Sequence, residues 1–157
     1  MKDLLTRRSR WTIRKYASRL CDPPYAVEHF EGNLALNEGI AELLALQIGG
    51  AATPFDESNS YLGVGDSATP AAAAQTGLQA STNKVYVAVT AGFPTIAGQT
   101  ISYEAEFGAG VGTFDWEEYT LANGDSDAAV NLNRKVESHG SKGADDVWVL
   151  ELDIDVE

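Results

Sequence analysis

Carboxylates are the residues of this sequence with the clearest potential for chemistry. A row of them occupies every second position near the C-terminus: Glu151, Asp153, Asp155 and Glu157. Side chains two apart on a strand share a face and lie about 7 Å apart, so two of them could reach one Ca²⁺ ion. The alternative is a solvated or partner-facing strand whose like charges discourage pairing with another sheet. We favour this alternative and predict no metal site.

A second group of acids follows an aromatic residue, which is an arrangement compatible with sugar hydrolysis. Glu117 and Glu118 come directly after Trp116. Adjacent residues of a strand point to opposite faces, however, so these two acids cannot share a site. His29 and His139 lie far apart in the sequence with no third ligand at a matched spacing. We therefore predict no catalytic residue and no cofactor, and we do not expect an enzyme.

Basic residues are concentrated at the N-terminus. Residues 1–20 have a net charge of +6 and the whole chain has −12, which leaves −18 for the other 137 residues. A basic arm on an acidic body is typical of a nucleic-acid tail or of a tether for an acidic protein, and the remaining alternative is a solvated terminus. The arm is short and apolar residues are interspersed among its charges, which favours a protein partner over nucleic acid.

The sequence therefore predicts a basic arm over residues 1–10 and a single domain over residues 11–157. The arm residues expected to contact the partner are Lys2, Leu4, Leu5, Arg7, Arg8, Arg10 and Trp11. We expect no membrane span, because the chain has no run of about 18 apolar residues. Cys21 is the single cysteine, which excludes an internal disulfide and is compatible with assembly in a reducing cytoplasm.

Strands must position most of these residues. The clearest of them places Trp148, Leu150, Leu152 and Ile154 on one face and the row of carboxylates on the other. Comparable segments recur about every ten residues with turn residues between them. This pattern predicts a mainly β protein, a β-sandwich of about seven antiparallel strands.

One amphipathic helix is predicted over about residues 37–48, packed on the sandwich. Asn37 is the expected N-cap, because its side chain can accept a hydrogen bond from the first turn. Ile40, Leu43 and Leu44 recur with helical spacing, and Leu43 and Leu44 are expected to be the most deeply buried residues of this stripe.

Six groups of segments carry a resemblance to a known family, in order from about residue 11 to the end. They are Trp11–Tyr16, Glu31–Ile40, Tyr61–Asp66 with Gln75–Leu78, Phe114–Glu118, Leu132–Val136 and Trp148–Leu150. Together they resemble small virion structural proteins of tailed bacteriophages. The resemblance implies a non-enzymatic part of the particle, either a head decoration protein or a tail or fibre component. The arginine-rich first ten residues depart from the family pattern, and no site residue is carried over.

We therefore expect a capsid decoration (cement) protein that docks through its basic arm, with a tail or fibre role as the alternative. Its expected partners are the major capsid protein or tail proteins, in a virion assembled in the host cytoplasm. A homotrimer is expected, with Phe55, Tyr61 and Phe93 at the subunit contacts. A receptor- or carbohydrate-binding module is the alternative from another class, with Trp116, Tyr119 or Tyr61 as stacking platforms.

Overall fold

Antiparallel strands are the main regular structure of the computed structural model, which describes residues 7–18 and 22–157. The elements in chain order are β1 (Arg7–Tyr16), β2 (Ala26–Glu31), β3 (Leu34–Ala35), α1 (Asn37–Gln47), β4 (Tyr61–Gly65), β5 (Lys84–Ala88), β6 (Thr95–Ala97), β7 (Thr100–Phe107), β8 (Glu118–Ala122), β9 (Asn133–Val136) and β10 (Val147–Val156). They form two five-stranded sheets, in the orders β2-β1-β10-β7-β6 and β3-β9-β8-β4-β5. The prediction of a mainly β, sandwich-like fold with one helix is confirmed.

The number of strands is higher than predicted. Ten strands are present in the described residues, against about seven expected. The additional strands include β3 and β6, which contain only two and three residues. Strands this short are too brief to show an alternating pattern in the sequence, so periodicity could not reveal them.

The core lies between the two sheets and is rich in aromatic residues. Trp11, Trp116 and Trp148 are at most 1% exposed, and the rings of Trp116 and Trp148 meet edge to face with centroids 4.8 Å apart. The alternation predicted for β10 is confirmed, because Leu150, Leu152 and Ile154 are buried while the acids between them are half-buried.

β1 begins at Arg7, so the predicted boundary of the basic arm at residue 10 is wrong for its last four residues. Arg7 to Arg10 pair with Val156 to Asp153 of β10 in an unbroken register. The alternation that begins at Trp11 continues upstream, because Ser9 is buried beside it and the neighbouring arginines point outward. The predicted contact residues Lys2, Leu4 and Leu5 lie outside the described residues.

The helix has the predicted position but a different orientation. The N-cap residue is Leu36, not Asn37, and no side chain caps the helix. The backbone N–H of Asn37 instead donates to the carbonyl of Ala73 at 2.8 Å. The side of α1 that faces the sandwich comprises Leu36, Gly39, Leu43 and Leu46. Leu44, predicted to be among the deepest residues, is 58% exposed, so that prediction is wrong.

Gly39 explains this orientation. A Cβ atom at this position would lie 2.4 Å from the Cα atom of Leu132, so only glycine lets the helix approach the backbone just before β9 this closely. The contact turns the helix so that Leu36 is fully buried and Leu44 points away. The described residues contain no helix long and apolar enough to cross a membrane.

Candidate partner-binding site

The arginines of β1 and the carboxylates of β10 meet on the outer face of the first sheet. We call this group the charge ladder; it comprises Arg8, Arg10, Arg14, Glu104, Glu151, Asp153 and Glu157. Arg10 Nη2 lies 2.9 Å from Asp153 Oδ2, and Arg14 Nη2 lies 2.6 Å from Glu104 Oε2. The two charged features that the sequence suggested for separate functions therefore bind each other.

The electrostatics of the charge ladder agree with its geometry. The hydrogen bond to Asp153 and the charge of that carboxylate raise the pKa of Arg10. Burial lowers the pKa of Arg14, but the charges of Glu151 and Glu104 outweigh it and the net shift is upward. Asp153 also accepts a hydrogen bond from Ser102 Oγ at 2.5 Å. Both oxygens of Asp153 therefore have hydrogen-bond partners within the protein.

The acids after Trp116 have separate structural roles. Glu118 is fully buried and forms an ion pair of 2.7 Å with Arg134, which is also fully buried. Its two oxygens accept from the backbone N–H groups of Gln79 and Ala80, at 2.9 and 2.7 Å. Glu117 accepts from Ser138 Oγ at 2.7 Å. The expectation that these acids do not share a site agrees with their separate partners.

Each histidine is bound to other side chains. Thr12 Oγ1 lies 3.0 Å from His29 Nδ1. His139 Nδ1 lies 2.6 Å from Glu28 Oε2, and Lys15 Nζ donates to the other oxygen of Glu28 at 2.6 Å. Within residues 7–18 and 22–157, no group of three or more His, Cys, Asp or Glu side chains is placed to hold a metal ion.

Two of the four aromatic residues predicted to contact partner proteins or other subunits are buried. Trp11 is fully buried, which corrects its assignment to the arm surface, and Phe55 is only 9% exposed. Phe55 lies in a loop, as predicted, but it belongs to the core cluster, and its carbonyl accepts from Tyr103 Oη at 3.2 Å. Tyr61 and Phe93 are half-buried. Phe55 is therefore not available for the subunit contact predicted for it.

The stacking platforms proposed for a carbohydrate are also part of the core. Trp116 and Tyr119 are both 0% exposed. Trp116 Nε1 donates to the carbonyl of Gly112 at 2.9 Å, and Tyr119 Oη donates to the carbonyl of Trp116 at 3.1 Å. Neither ring has a face open to a sugar, so the platform prediction is wrong for both residues. The remaining platform candidate is Tyr61, which is half-buried.

An open cleft of about 480 Å³ lies at the start of β1. We call it the arginine cleft, because Arg7, Arg8 and Arg10 line it, together with Ser9, Glu31, Gly32, Asn33 and Asp155. Its lining carries three cations and two acids on a chain whose net charge is −12. Arg8 and Arg10 are also paired with Glu157 and Asp153, so Arg7 is the one arginine of this lining with no ion pair among the described residues.

A smaller groove of about 180 Å³ adjoins the arginine cleft and shares Arg7, Ser9 and Asn33 with it. We call it the apolar groove, because Ile40, Leu43, Leu132 and Ile154 also line it, together with Ala35 and Asn133. These residues come from both sheets and from α1. The groove is therefore bordered by both sheets and by the helix.

The outward face of α1 is apolar and uncharged. Ile40, Leu44 and Ile48, which recur every four residues, are 44%, 58% and 85% exposed. We call these three residues the helix stripe. The two acids of the helix form hydrogen bonds away from the helix stripe: Glu38 accepts from the N–H of Asn131 at 2.9 Å, and Glu42 accepts from the N–H of Thr53 at 2.7 Å.

Sequence reasoning missed the helix stripe as a surface, although a signal for it was present. The helix has two apolar arcs, one through Leu36, Gly39 and Leu43 and one through Ile40 and Leu44. Helical spacing alone does not determine which arc is buried. The absence of a Cβ atom at Gly39 determines it, because it allows that arc to approach Leu132. No sequence signal marked the apolar groove, because its lining residues come from segments that meet only in the folded sandwich.

Comparison with known proteins identifies no relative. No family model, curated protein or solved structure matches the chain.

Proposed function

We propose that the protein is a non-enzymatic structural component of a tailed-phage virion, a capsid decoration protein that binds other virion proteins through the helix stripe. The observation that supports this proposal most directly is the exposed apolar face of α1. Its acids, Glu38 and Glu42, form hydrogen bonds with the body of the protein, whereas Ile40, Leu44 and Ile48 face outward. A contiguous exposed apolar surface is typical of a protein contact.

The charge of the surroundings supports a protein partner for the helix stripe. The described helix carries no basic residue, and its outward face carries no charge. An uncharged apolar face lets an acidic protein approach a second acidic protein without placing like charges at the contact. The resemblance to small virion structural proteins supports a partner within a phage particle. A homotrimer built on the same face would fit the symmetric positions of such particles.

The test is to replace two residues of the helix stripe and locate the protein on purified particles. Leu44→Asp with Ile48→Asp places two charges on the exposed face and leaves the buried face of α1 unchanged. Ala74→Asp, at another exposed position, is the control for added charge. We expect the control to be incorporated like the wild type and the double variant to be absent from particles, as seen by electron microscopy.

The outcomes of this experiment distinguish a decoration protein, a tail or fibre component and a protein that is not part of the virion. Density on the head assigns decoration, and density on the tail or fibre assigns the alternative. Wild-type protein that is absent from purified particles would refute the virion proposal. Normal incorporation of the double variant would refute the role of the helix stripe. Circular dichroism of all the variants establishes that a loss of incorporation is not a loss of folding.

A further inference from the structure

The side-chain amide of Asn133, in the wall of the apolar groove, is buried but only partly hydrogen-bonded within the described residues. The side chain is 1% exposed, and its Oδ1 accepts from the backbone N–H of Leu121 at 3.0 Å. That bond fixes the orientation of the amide, because only the oxygen can accept from an N–H group. Asn133 Nδ2 has no hydrogen-bond partner in residues 7–18 and 22–157. A buried donor without an acceptor is costly, so this group favours a ligand that brings one.

The dimensions of the apolar groove suit one side chain. Its volume is about 180 Å³, and a dry cavity of about 150 Å³ is sufficient for a benzene ring. Ile40, Leu43, Leu132 and Ile154 provide apolar contacts. An aliphatic side chain fits these walls, and the carbonyl of the same residue could accept from Asn133 Nδ2. The groove therefore has the features of a site for a peptide with an aliphatic anchor residue.

The charges in the arginine cleft indicate which residues of the peptide should flank the aliphatic anchor. The cleft adjoins the apolar groove through Arg7, for which no ion pair is found among the described residues. Arg8 and Arg10 are in the charge ladder, but their side chains are still 69% and 51% exposed. Guanidinium groups are donors only, and they bind carboxylates in pairs of hydrogen bonds. Acidic residues beside the anchor would satisfy them.

We propose that the apolar groove and the arginine cleft together form a binding site for an extended acidic segment of a partner protein, with a leucine-like residue in the groove and carboxylates in the cleft. Charge complementarity selects this occupant over the alternatives. Three arginines line the cleft beside the acids Glu31 and Asp155, and Arg7 has no ion pair among the described residues, so it is available to an incoming carboxylate. Residues 1–6 of the chain carry Lys2 and Asp3, so they bring no net negative charge to an arginine-lined cleft.

Two designed peptides test the site with no phage particle present, so the result is independent of the virion proposal. The first has one leucine with two aspartates on each side, blocked at both ends, and the second has serine in place of leucine. Titration calorimetry is done at about 0.15 M salt, where the screening length of about 8 Å leaves local contacts to dominate over net charge. We expect the leucine peptide to bind about tenfold or more tightly than the serine peptide.

Matched variants of the full chain locate the binding. Ala35→Trp fills the apolar groove from its rim and should weaken binding about tenfold, whereas Leu44→Trp, on the exposed helix stripe, should change it less than about twofold. Arg7→Gln should weaken binding, and Arg7→Lys should restore most of it. In nuclear magnetic resonance spectra, the side-chain amide of Asn133 should shift on adding the leucine peptide. This readout does not depend on any substitution being tolerated.

The remaining outcomes overturn the proposal. Equal affinity for the two peptides, or no binding by either, would show that the groove holds no anchor. Binding that appears only in the full chain carrying Leu4→Ser and Leu5→Ser would identify the chain's own N-terminal segment as the occupant. Binding that competes with self-association in light scattering would identify a second copy. An Asn133 amide that does not move while calorimetry detects binding would place the peptide elsewhere.

Discussion

Arg134 and Arg10 are each hydrogen-bonded to one carboxylate, but only Arg134 is removed from water. The side chains of Arg134 and Glu118 are both 0% exposed, whereas Arg10 is 51% exposed. Removing one partner of a buried pair leaves the other charge uncompensated in a medium of low polarity. An exposed pair loses only a screened interaction, since water replaces the missing partner. The same substitution should therefore have very different effects at the two positions.

We expect Arg134→Met to lower the free energy of unfolding by about 3–5 kcal/mol. Arg10→Met, the matched control in the charge ladder, should lower it by less than about 1 kcal/mol. Urea denaturation followed by tryptophan fluorescence measures both. Similar values for the two variants would contradict the assignment of Glu118 and Arg134 as a buried ion pair.

The ionisation of Glu28 makes the folding stability of the protein depend on pH in the acid range. Burial raises the pKa of Glu28, but hydrogen bonds from Lys15 and His139 outweigh that effect and the net shift is downward. The ionised carboxylate therefore stabilises the fold at pH values above its unfolded pKa, and this contribution is lost as the pH falls through its folded pKa.

The variant Glu28→Gln should accordingly be less stable than the wild type at about pH 5, and the difference should shrink towards about pH 3. Thermal melts at several pH values measure the difference. Glu31→Gln, at an exposed position of the same strand, is the control, and parallel curves for Glu28→Gln and the wild type would refute the linkage.

At the scale of the element, α1 shows that an apolar pattern does not decide which side of a helix is buried. Leu36 is fully buried and Leu44 is 58% exposed, although both are leucines with helical spacing. The close approach at Gly39 determines which side of the helix is buried, because it brings the helix backbone against Leu132. The stability of the helix on the sandwich should therefore depend on Leu36 and Gly39 and hardly on Leu44.

We expect Leu36→Ala to cost about 2–5 kcal/mol of unfolding free energy through lost burial and the resulting cavity. Leu44→Ala is the matched control and should change stability by less than about 0.5 kcal/mol. Gly39→Ala should also destabilise the protein, even though alanine is the better helix former, because its methyl group would clash with Leu132. Chemical denaturation of the three variants measures these changes in unfolding free energy. A loss in Leu44→Ala as large as the loss in Leu36→Ala would contradict the prediction.

At the scale of the whole molecule, the N-terminal strand is part of the sheet. Arg7 to Arg10 pair with β10, Arg10 forms an ion pair with Asp153 of that strand, and Arg8 forms one with Glu157 just after it. A deletion of residues 1–10 therefore removes four residues of β1 and does more than take away an arm. It also removes cations from the outer face, where carboxylates would then repel one another.

We expect the chain without residues 1–10 to melt well below the full chain, with the loss reduced in high salt because salt screens the repulsion of the freed carboxylates. A control chain without residues 1–6 keeps the whole of β1 and separates the effect of the strand from that of the preceding residues. Differential scanning calorimetry measures both. A melting temperature unchanged on deleting residues 1–10 would show that Arg7–Arg10 do not support the sheet.

The sequence was sufficient to predict the sandwich class, the helix position and the two faces of β10, because each depends on a local period that burial imposes. It did not reveal that Arg10 and Asp153, 143 residues apart, would be neighbours. The arm and the acidic row consequently looked like two unpaired charged features. The arginine cleft and the apolar groove were hidden for the same reason, since Arg7, Ile40 and Asn133 belong to distant segments that meet only where the two sheets and the helix pack together.

The position of β10 between β1 and β7 has a consequence for how the protein folds during synthesis. β1 and β2 emerge from the ribosome early, but their neighbour in the sheet is made more than one hundred residues later. Contacts so distant in sequence form slowly, because a long loop must close before they contribute. Until β10 arrives, β1 has an unpaired edge that can join strands of other nascent chains. Chaperone binding to nascent chains should therefore be strongest before β10 is synthesised, and fall once it is available to pair.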